Sequence, residues 1–513
     1  MNNEIGGKTV TLGAVAKIIG AKIVLSANLE QKRGENLAIA DVTHDSRQAR
    51  ENGLFVAIRG LASDGHRFIA DVMRRGAAGI ISELEKPADF TGAWLQVENA
   101  RIALAQAANI IHGEPSKKLK LIGVTGTNGK TTTTYLINAL ATAAGQKGAM
   151  LTTVEYRIGE KSEPAVRTTP EASDTERFLA AALAERCTFA AMETSSQALD
   201  LHRCDALLFN IAVFTNLTRD HLDYHGTMEN YFDSKKRLFD GRTGENPGSS
   251  VINLDDQWGV KLDAELRASN QPVVTYAIDA DADLTARNIE VSIVRGTSFD
   301  LKTPAGSLKV VSPLVGRPHV YNVLAATATA LQMGCELENI KRGIEVCTGA
   351  PGRFERVAPV NNSANDFAVI VDYAHTDDAL LNVLKTAKDL TTGRVITVFG
   401  CGGDRDRSKR GPMGEVAGRY SDLVVLTSDN PRTEDPLEII EQIQLGLNQT
   451  NTVYLTIPDR REAIYHAVSE AKSGDVVLIA GKGHENYQIV GDEKFHFDDR
   501  EVAQAALEWK MES

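Results

Sequence analysis

The residues that read most directly as chemistry are Gly126-Thr127-Asn128-Gly129-Lys130-Thr131, continued by Thr132. Glycines let backbone N–H groups turn toward phosphate oxygens, a lysine amine in this register reaches the terminal phosphates, and a threonine hydroxyl suits Mg2+. The general phosphate loop carries a glycine five residues before its Gly-Lys pair; Val124 stands there, so this is a variant loop. A tight strand-to-helix turn without a ligand is the bland alternative, and Lys and Thr in register argue against it. Glu193 closes an apolar run, and an acidic residue at a strand end beside a phosphate loop is a Mg2+ ligand candidate. Asp220-His221-Leu222-Asp223 can ligate a metal or simply cap a helix. Asp233-Ser234-Lys235-Lys236-Arg237 reads, from residue types alone, as a solvated basic helix face. Gly352-Arg353-Phe354-Glu355 offers a cation for phosphates or an Arg–Glu surface pair. In Asp429-Asn430-Pro431-Arg432 and Gly403-Asp404-Arg405-Asp406, the planar guanidiniums match a carboxylate through two parallel hydrogen bonds, whereas a plain turn with solvated arginines stays open. Glu485, four residues after Gly481, can take an ammonium.

These groups need strand ends to hold them. Leu119–Gly126 reads as a buried strand feeding the loop, and Thr131–Gly145 as a helix stopped by glycine. Thr188–Ser196, Leu208–Thr218 and Ser249–Asp256 have continuous apolar cores, the pattern of parallel strands covered on both faces. His319–Gly334 is a helix ending in glycine. Five more strand-then-loop units follow at Phe367–His375, Arg394–Asp406, Asp422–Arg432, Thr452–Ile457 and Asp475–Glu485. Each ends in charged or Gly-rich residues, at the sheet edge where open α/β sheets bind ligands. Nearer the start, Leu54–Gly60 is a strand candidate and Phe68–Ser82 a helix running into another. Polar His112–Lys118 and Thr348–Val357 mark two boundaries, giving domains 1–115, 116–349 and 350–513. The fold class expected is α/β in three domains: a smaller N-terminal α/β domain, a central, mostly parallel sheet with the phosphate loop, and a C-terminal Rossmann-like domain.

Length agrees, since 513 residues at roughly 100–200 per domain is about three. A formal charge of −12 argues against coating nucleic acid, which rewards a basic face. Five cysteines without a C-x-x-C pair make a disulfide framework and a structural zinc site unexpected. Lys17 and Lys22 interrupt the apolar stretch near the start, and no uncharged apolar run reaches the ~20 residues needed to span a bilayer. The expectation is a cytoplasmic, reduced, monomeric protein without nucleic-acid partners or membrane anchoring.

The string GVTGTNGKTTTT resembles the ATP loop of the Mur ligases, the amide-forming enzymes of peptidoglycan precursor synthesis. THDSR, TNLTRDHLDYHG, GRFE, DYAHT, FGCGGDRD, DNPRTEDP and AGKGHE extend the resemblance over essentially the whole chain. The branch most resembled adds meso-2,6-diaminopimelate to a UDP-N-acetylmuramoyl dipeptide. The resemblance implies ATP contacts at Gly126–Thr132, Asn322, Arg353 and Asp372, and Mg2+ held by Thr131, Glu193, His221 and a carbamylated Lys235, the lysine ten residues past His225. Lys130, Glu193, His221 and Lys235 are then catalytic. A lysine takes up CO2 only as the neutral amine, so cationic surroundings would have to lower its pKa. It further implies that His44, Ser46, Leu61, Ala62 and Ser63 meet the uridine nucleotide, and that Thr168, Thr169, Ser195 and Arg203 meet the muramoyl peptide. Diaminopimelate falls to Arg405, Asp429, Asn430, Pro431, Arg432, Gly481 and Glu485, because diaminopimelate-adding members carry DNPR and lysine-adding members lack its arginine. Three residues depart from the pattern: Asp377 for Pro, Arg167 for Asn and Leu201 for Gln.

The implied reaction is ATP-dependent amide ligation through an acyl phosphate, with no side-chain nucleophile; no Ser-His-Asp or Cys-His arrangement stands out. Rival readings are a lysine-adding ligase, a folylpolyglutamate synthetase, or a nucleotide-regulated sensor of wall precursors. Intact Lys130, Glu193, His221 and Lys235 count against the sensor.

Overall fold

The computed structural model describes residues 10–25, 34–60, 63–293, 295–358 and 367–512. They group into two compact units: one takes in the chain to Thr285 with Lys302–Gly306 and Tyr321–Gly343, the other Ala286–Leu301, Ser307–Val320 and the chain from Ile344 on.

The first unit carries two sheets. β1 (Lys22–Leu25), β2 (Asp41–Thr43), β3 (Gly53–Val56), β4 (Gly79–Ser82) and β5 (Ala93–Gln96) stand in the order β1-β5-β4-β3-β2, parallel except for β1. Along β3 the side chains alternate, Leu54 and Val56 into one apolar cluster and Phe55 into the other, so both faces are covered. The expected strand Leu54–Gly60 stops at Val56, because the chain turns back there: the Gly65 N–H donates to Ile58 O, 2.9 Å, and the Gly60 N–H to Ser63 O, 2.9 Å.

The second sheet of this unit contains β6 (Lys120–Thr125), β7 (Gly148–Leu151), β8 (Glu155–Ile158), β9 (Lys161–Pro164), β10 (Phe189–Glu193), β11 (Ile211–Phe214), β12 (Ser249–Asn253) and β13 (Val273–Ala277). Their order is β13-β12-β11-β6-β10-β7-β8-β9, parallel from β13 to β7 and antiparallel at the β8–β9 hairpin. β6 sits between β11 and β10, so the loop leaving it emerges between two other carboxyl ends. Helix Lys130–Ala143 follows, and Gly145, at φ +79°, ends it in the left-handed conformation that glycine adopts cheaply.

After β14 (Leu284–Ser292), β15 (Gly296–Thr303) and β16 (Gly306–Ser312), the second unit is built on β17 (Glu355–Val357), β18 (Ala368–Asp372), β19 (Val395–Phe399), β20 (Leu423–Leu426), β21 (Val453–Thr456) and β22 (Val476–Ala480). The order is β17-β18-β22-β19-β20-β21, parallel except for β17. Ile370 enters one apolar cluster while Val369 and Val371 enter the other, as period-two alternation requires of a sheet covered on both faces. The strand-then-loop units expected in the last third are all present. Two of the departures from the family pattern lie at helix ends. Asp377 opens helix Asp377–Leu390 behind a Thr376 cap, the position where proline and acidic residues both fit, so its replacement of proline leaves the turn intact. Leu201 caps helix Ser196–Asp200 through its backbone alone. The five cysteines are buried and free. Among the described residues no helix is long and apolar enough to cross a membrane.

Candidate active site

In the first unit the phosphate loop is pinned to the segment after β11. Thr215 Oγ1 donates to Asn128 O, 2.6 Å; the Thr127 N–H donates to Asn216 O, 2.8 Å; and the Asn128 N–H donates to Asn216 Oδ1, 2.9 Å. Thr127 Oγ1 meets Tyr231 OH at 3.2 Å. Two glycines make this closeness possible. At Gly126, φ +146°, a Cβ would stand 1.8 Å from Thr215 Oγ1; at Gly129, φ +85°, it would stand 2.4 Å from Asn322 Oδ1. Asn322, on helix Arg317–Gln332, is thereby brought against the loop, and its Oδ1 also accepts from Thr133 Oγ1, 3.4 Å. Thr131 and Thr132 are buried in the first turn of the following helix.

Lys130 Nζ folds back to donate to Gly126 O, 2.9 Å, and Thr127 O, 2.8 Å. Lys235 Nζ donates to the same Gly126 O, 2.8 Å, and lies 4.5 Å from the Tyr231 ring centroid. Lys235 is 1 % exposed, whereas Lys236 reaches outward to Glu265, 2.6 Å. The solvated basic face expected from residue types is therefore wrong for Lys235, which faces the loop from helix Met228–Lys236. Burial first, then the positive charge of Lys130, holds its pKa well below the ordinary lysine value, with Asp220 opposing.

Glu193 ends β10 and is 1 % exposed. Its carboxylate accepts from the Thr153 N–H, 2.9 Å, with Thr153 Oγ1 3.4 Å away, neutral groups both. A buried carboxylate answered by neutral donors, with a threonine hydroxyl nearby in the fold, is the oxygen-rich chemistry that suits a hard dication. Among the described residues no three His, Cys, Asp or Glu side chains form a ready-made metal cluster, so a carboxylate grafted onto Lys235 would enlarge the donor set. His221, at φ +52° and half-exposed, lies 3.4 Å from Asp220 Oδ2.

Thr168, Thr169, Ser195 and Arg203 gather beside Glu193. Thr169 Oγ1 donates to Glu193 O, 2.8 Å, and accepts the Ser195 N–H, 3.0 Å; Thr153 Oγ1 donates to Thr168 Oγ1, 2.9 Å; Arg203 Nη1 donates to Thr169 O, 3.3 Å. Arg203 and Arg167 share Glu171, at 3.0 and 2.8 Å, which gives the departing Arg167 a partner of its own. His44 has a buried Nδ1 without a hydrogen-bond partner among the described residues, Ser46 opens a short 3-10 turn, and Ser63 is an exposed turn residue. Leu61 and Ala62 lie outside the described residues.

In the second unit, Asp372 ends β18 and accepts the N–H groups of Phe354, 2.6 Å, and Ala374, 2.8 Å. Burial raises its pKa, with Arg353 partly offsetting. The Arg353 guanidinium lies 4.8 Å from the Tyr373 ring centroid, and its buried Nε has no hydrogen-bond partner among the described residues. Tyr373 also meets His375 and His484, at ring-centroid distances of 4.6 and 4.9 Å. Burial, then Arg353, holds His484 down to about 4, so it is neutral at ordinary pH. Tyr373, His375 and His484 went unnoticed in sequence, although each lies inside a strand-end motif, and an aromatic directly after a strand was the available signal.

The second cluster of this unit joins the loops after β19, β20 and β22. Asn430 Nδ2 donates to Glu485 Oε2, 2.8 Å, and Asn430 Oδ1 accepts the Ile489 N–H, 2.9 Å. Arg432, at φ +53°, donates from Nη1 to Gly403 O, 2.7 Å, and Asn430 O, 3.4 Å. Its backbone pairs with the hairpin of β23 (Tyr487–Val490) and β24 (Glu493–His496): the Arg432 N–H donates to Ile489 O, 3.1 Å. At Gly481 a Cβ would stand 2.7 Å from Asp429 Oδ2, so the glycine admits the Asp429 carboxylate. Pro431 is buried, Arg405 is exposed, and fully buried Lys482 donates to Tyr487 O. Sequence reasoning passed over Lys482, because a lysine in a Gly-rich loop looks solvated.

Residues 124–330 match the model of the Mur ligase middle domain, and residues 352–483 that of the Mur ligase glutamate ligase domain. A Solibacter usitatus protein named UDP-N-acetylmuramoyl-L-alanyl-D-glutamate–2,6-diaminopimelate ligase is 46% identical over 489 residues, covering 95% of this chain and 97% of its own. A Geobacter sulfurreducens protein of the same name is 46% identical over 482 residues, covering 90% and 93%. A solved structure of a ligase of that name superposes with a TM-score of 0.71 at 32% identity, covering 99% of this chain and 100% of the other. Near-complete coverage at this identity, on top of a phosphate loop held as described, means that the chain belongs to the Mur ligase family.

Proposed function

We propose that the protein is an ATP-dependent ligase that joins meso-2,6-diaminopimelate to the D-glutamyl carboxylate of UDP-N-acetylmuramoyl-L-alanyl-D-glutamate, in peptidoglycan precursor synthesis. The observation that carries this reading is the loop after β6, where Lys130 and Lys235 converge on Gly126 O. Relatives of that name at near-full coverage support the amino acid.

Lys130 exchanges its intraloop carbonyls for the terminal phosphates of ATP, and the loop N–H groups and Asn322 hold the rest of the chain of phosphates. Thr168, Thr169, Ser195 and Arg203 orient the dipeptide so that its carboxylate attacks the γ-phosphorus, giving an acyl phosphate and ADP. The diaminopimelate amine then adds to the acyl carbon, and the tetrahedral adduct expels phosphate. Positioning and charge neutralisation supply the catalysis. Thr131, Glu193, His221 and a carbamylated Lys235 would hold Mg2+, which when bound neutralises phosphate charge. Arg353 and Asp372 take the nucleotide, while His44, Ser46, Leu61, Ala62 and Ser63 take the uridine end. Arg432 and Arg405 face the distal carboxylate of diaminopimelate, and Asp429 and Glu485 its ammonium, with Asn430, Pro431 and Gly481 shaping the turn. Domains at 1–115, 116–349 and 350–513, a cytoplasmic location and a monomeric state complete the reading.

The test is phosphate release by the purified protein with ATP, Mg2+, the UDP-muramoyl dipeptide and a panel of amino acids. Turnover dependent on meso-diaminopimelate is expected. Turnover with lysine at a similar kcat/KM, or none with any amino acid, would overturn the assignment.

A further inference from the structure

Beneath the amino-acid cluster lies an ion pair that none of the roles above uses. Arg460, at the start of helix Arg460–Glu470, donates from Nε to Asp499 Oδ1 and from Nη2 to Asp499 Oδ2, both 2.7 Å. Both side chains are 0 % exposed. The same guanidinium donates from Nη2 to Ala480 O, 3.0 Å, and from Nη1 to Ser428 O, 3.4 Å. Those carbonyls immediately precede Gly481 and Asp429. In the sheet β19 lies between β20 and β22, so no ladder bond joins those two strand ends. Arg460 links the carbonyls at those ends, beside the Asn430–Glu485 bond between the loops that follow, and a planar fork does so in a way an ammonium cannot.

We propose that the buried Arg460–Asp499 pair is a positioning element for amino-acid recognition: it sets the spacing between Asp429 and Glu485 and places one positive charge behind the two carboxylates. This rests on the function proposed above. A buried guanidinium needs acceptors for its N–H groups wherever it sits, and the two it takes here are the carbonyls that lead into Asp429 and Gly481, which ties its geometry to the site. The charges also communicate. Burial opposes the charge on Arg460, and Asp499 first, then Asp429 and Glu485, outweigh it and raise its pKa. Glu485 is itself raised, by burial and then by Asp429, against Lys482, Asn430 and Arg432. The other titratable groups facing this pair of carboxylates are Tyr373, Tyr487, His375 and Cys401.

The experiment measures KM for diaminopimelate, ATP and the dipeptide, as a function of pH, in the unchanged enzyme, R460K, R460Q and D499N. R460K keeps the charge and loses the fork. It should raise KM for diaminopimelate about tenfold or more and leave KM for ATP within about twofold, the spread expected of a lost charge-assisted bond. R460Q removes a cation behind Asp429 and Glu485, so the acidic limb of the KM profile for diaminopimelate should move to higher pH. D499N frees the same cation of its partner, so that limb should move to lower pH. A merely structural pair would shift all three KM values together and both limbs the same way, and either result overturns the inference. If R460Q does not fold, R460K and D499N decide the matter by the KM split and the direction of the single limb. Inactivity of the unchanged enzyme toward diaminopimelate would instead overturn the function, and this inference with it; an active enzyme whose R460K variant keeps its KM overturns the inference alone.

Discussion

Arg432 allows recognition to be separated from stability. Its described side-chain bonds use Nη1, to Gly403 O and Asn430 O, which leaves the Nε–Nη2 edge as a two-donor fork for a carboxylate. Hydrogen bonds to charged groups contribute about 1.5–3 kcal/mol each, and Arg432 is half-buried, so the lower figure applies. Two such bonds give about 3 kcal/mol, or roughly a hundredfold in kcat/KM for diaminopimelate. L-lysine has no distal carboxylate and should change by less than about threefold. The backbone supplies the control. At φ +53° a side chain costs roughly 1–2 kcal/mol that glycine does not incur, partly offset by the extra freedom glycine has when unfolded. R432A keeps that strain and R432G releases it. R432G should therefore melt no lower than R432A, while both lose about a hundredfold toward diaminopimelate and lose the preference over lysine. The assay is coupled phosphate release with each amino acid, alongside thermal melts. Retention of the preference by R432G, or an equal fall for both amino acids, would refute the assignment of the fork.

Three further outcomes are expected. K130A should fold and melt normally but lose at least about 10²–10³ in kcat, the scale of removing one donor aimed at developing charge; near-normal phosphate release from the folded variant would sink the role of Lys130. Lys235 should carry the mass of one added CO2 in intact enzyme, activity should fall in CO2-depleted buffer, and K235A should regain part of its activity with a short carboxylate, whereas a fully active K235A beside a dead K236A would show the register to be wrong. Glu176, buried against Asn109, has its pKa raised to about 8, chiefly by burial; a carboxyl raised above its unfolded value of 4.5 leaves stability intact below that value and erodes it as pH climbs toward about 8, so E176Q should stabilise the protein by about 3 kcal/mol at pH 7 and negligibly near pH 4, as thermal melts across pH would show.

The strands that carry the site were legible because each is a continuous apolar run ending in glycine or charge, and a strand covered on both faces leaves that mark. β8, β9, β23 and β24 left no such mark: their residues are half-buried or exposed, with apolar types interrupted by charged and polar ones, and short hairpins of that kind carry little periodicity. The hairpin of β23 and β24 nonetheless matters, since it holds the backbone of Arg432.

Charged side chains were the harder case, and the reason is physical. A lysine or arginine in sequence is read as solvated because an unpaired buried cation is costly. Lys235, Lys482 and Arg460 are all essentially unexposed, and Lys235 and Arg460 meet that cost with carbonyls contributed from far along the chain: Gly126 O for Lys235, Ser428 O and Ala480 O for Arg460. No local pattern can announce such partners. For Lys235 the family spacing did what residue type could not, by counting ten positions from His225. For Arg460 there was no spacing to count, and only the fold, by bringing the ends of β20 and β22 to either side of β19, places a charge behind the residues proposed to take the amino acid.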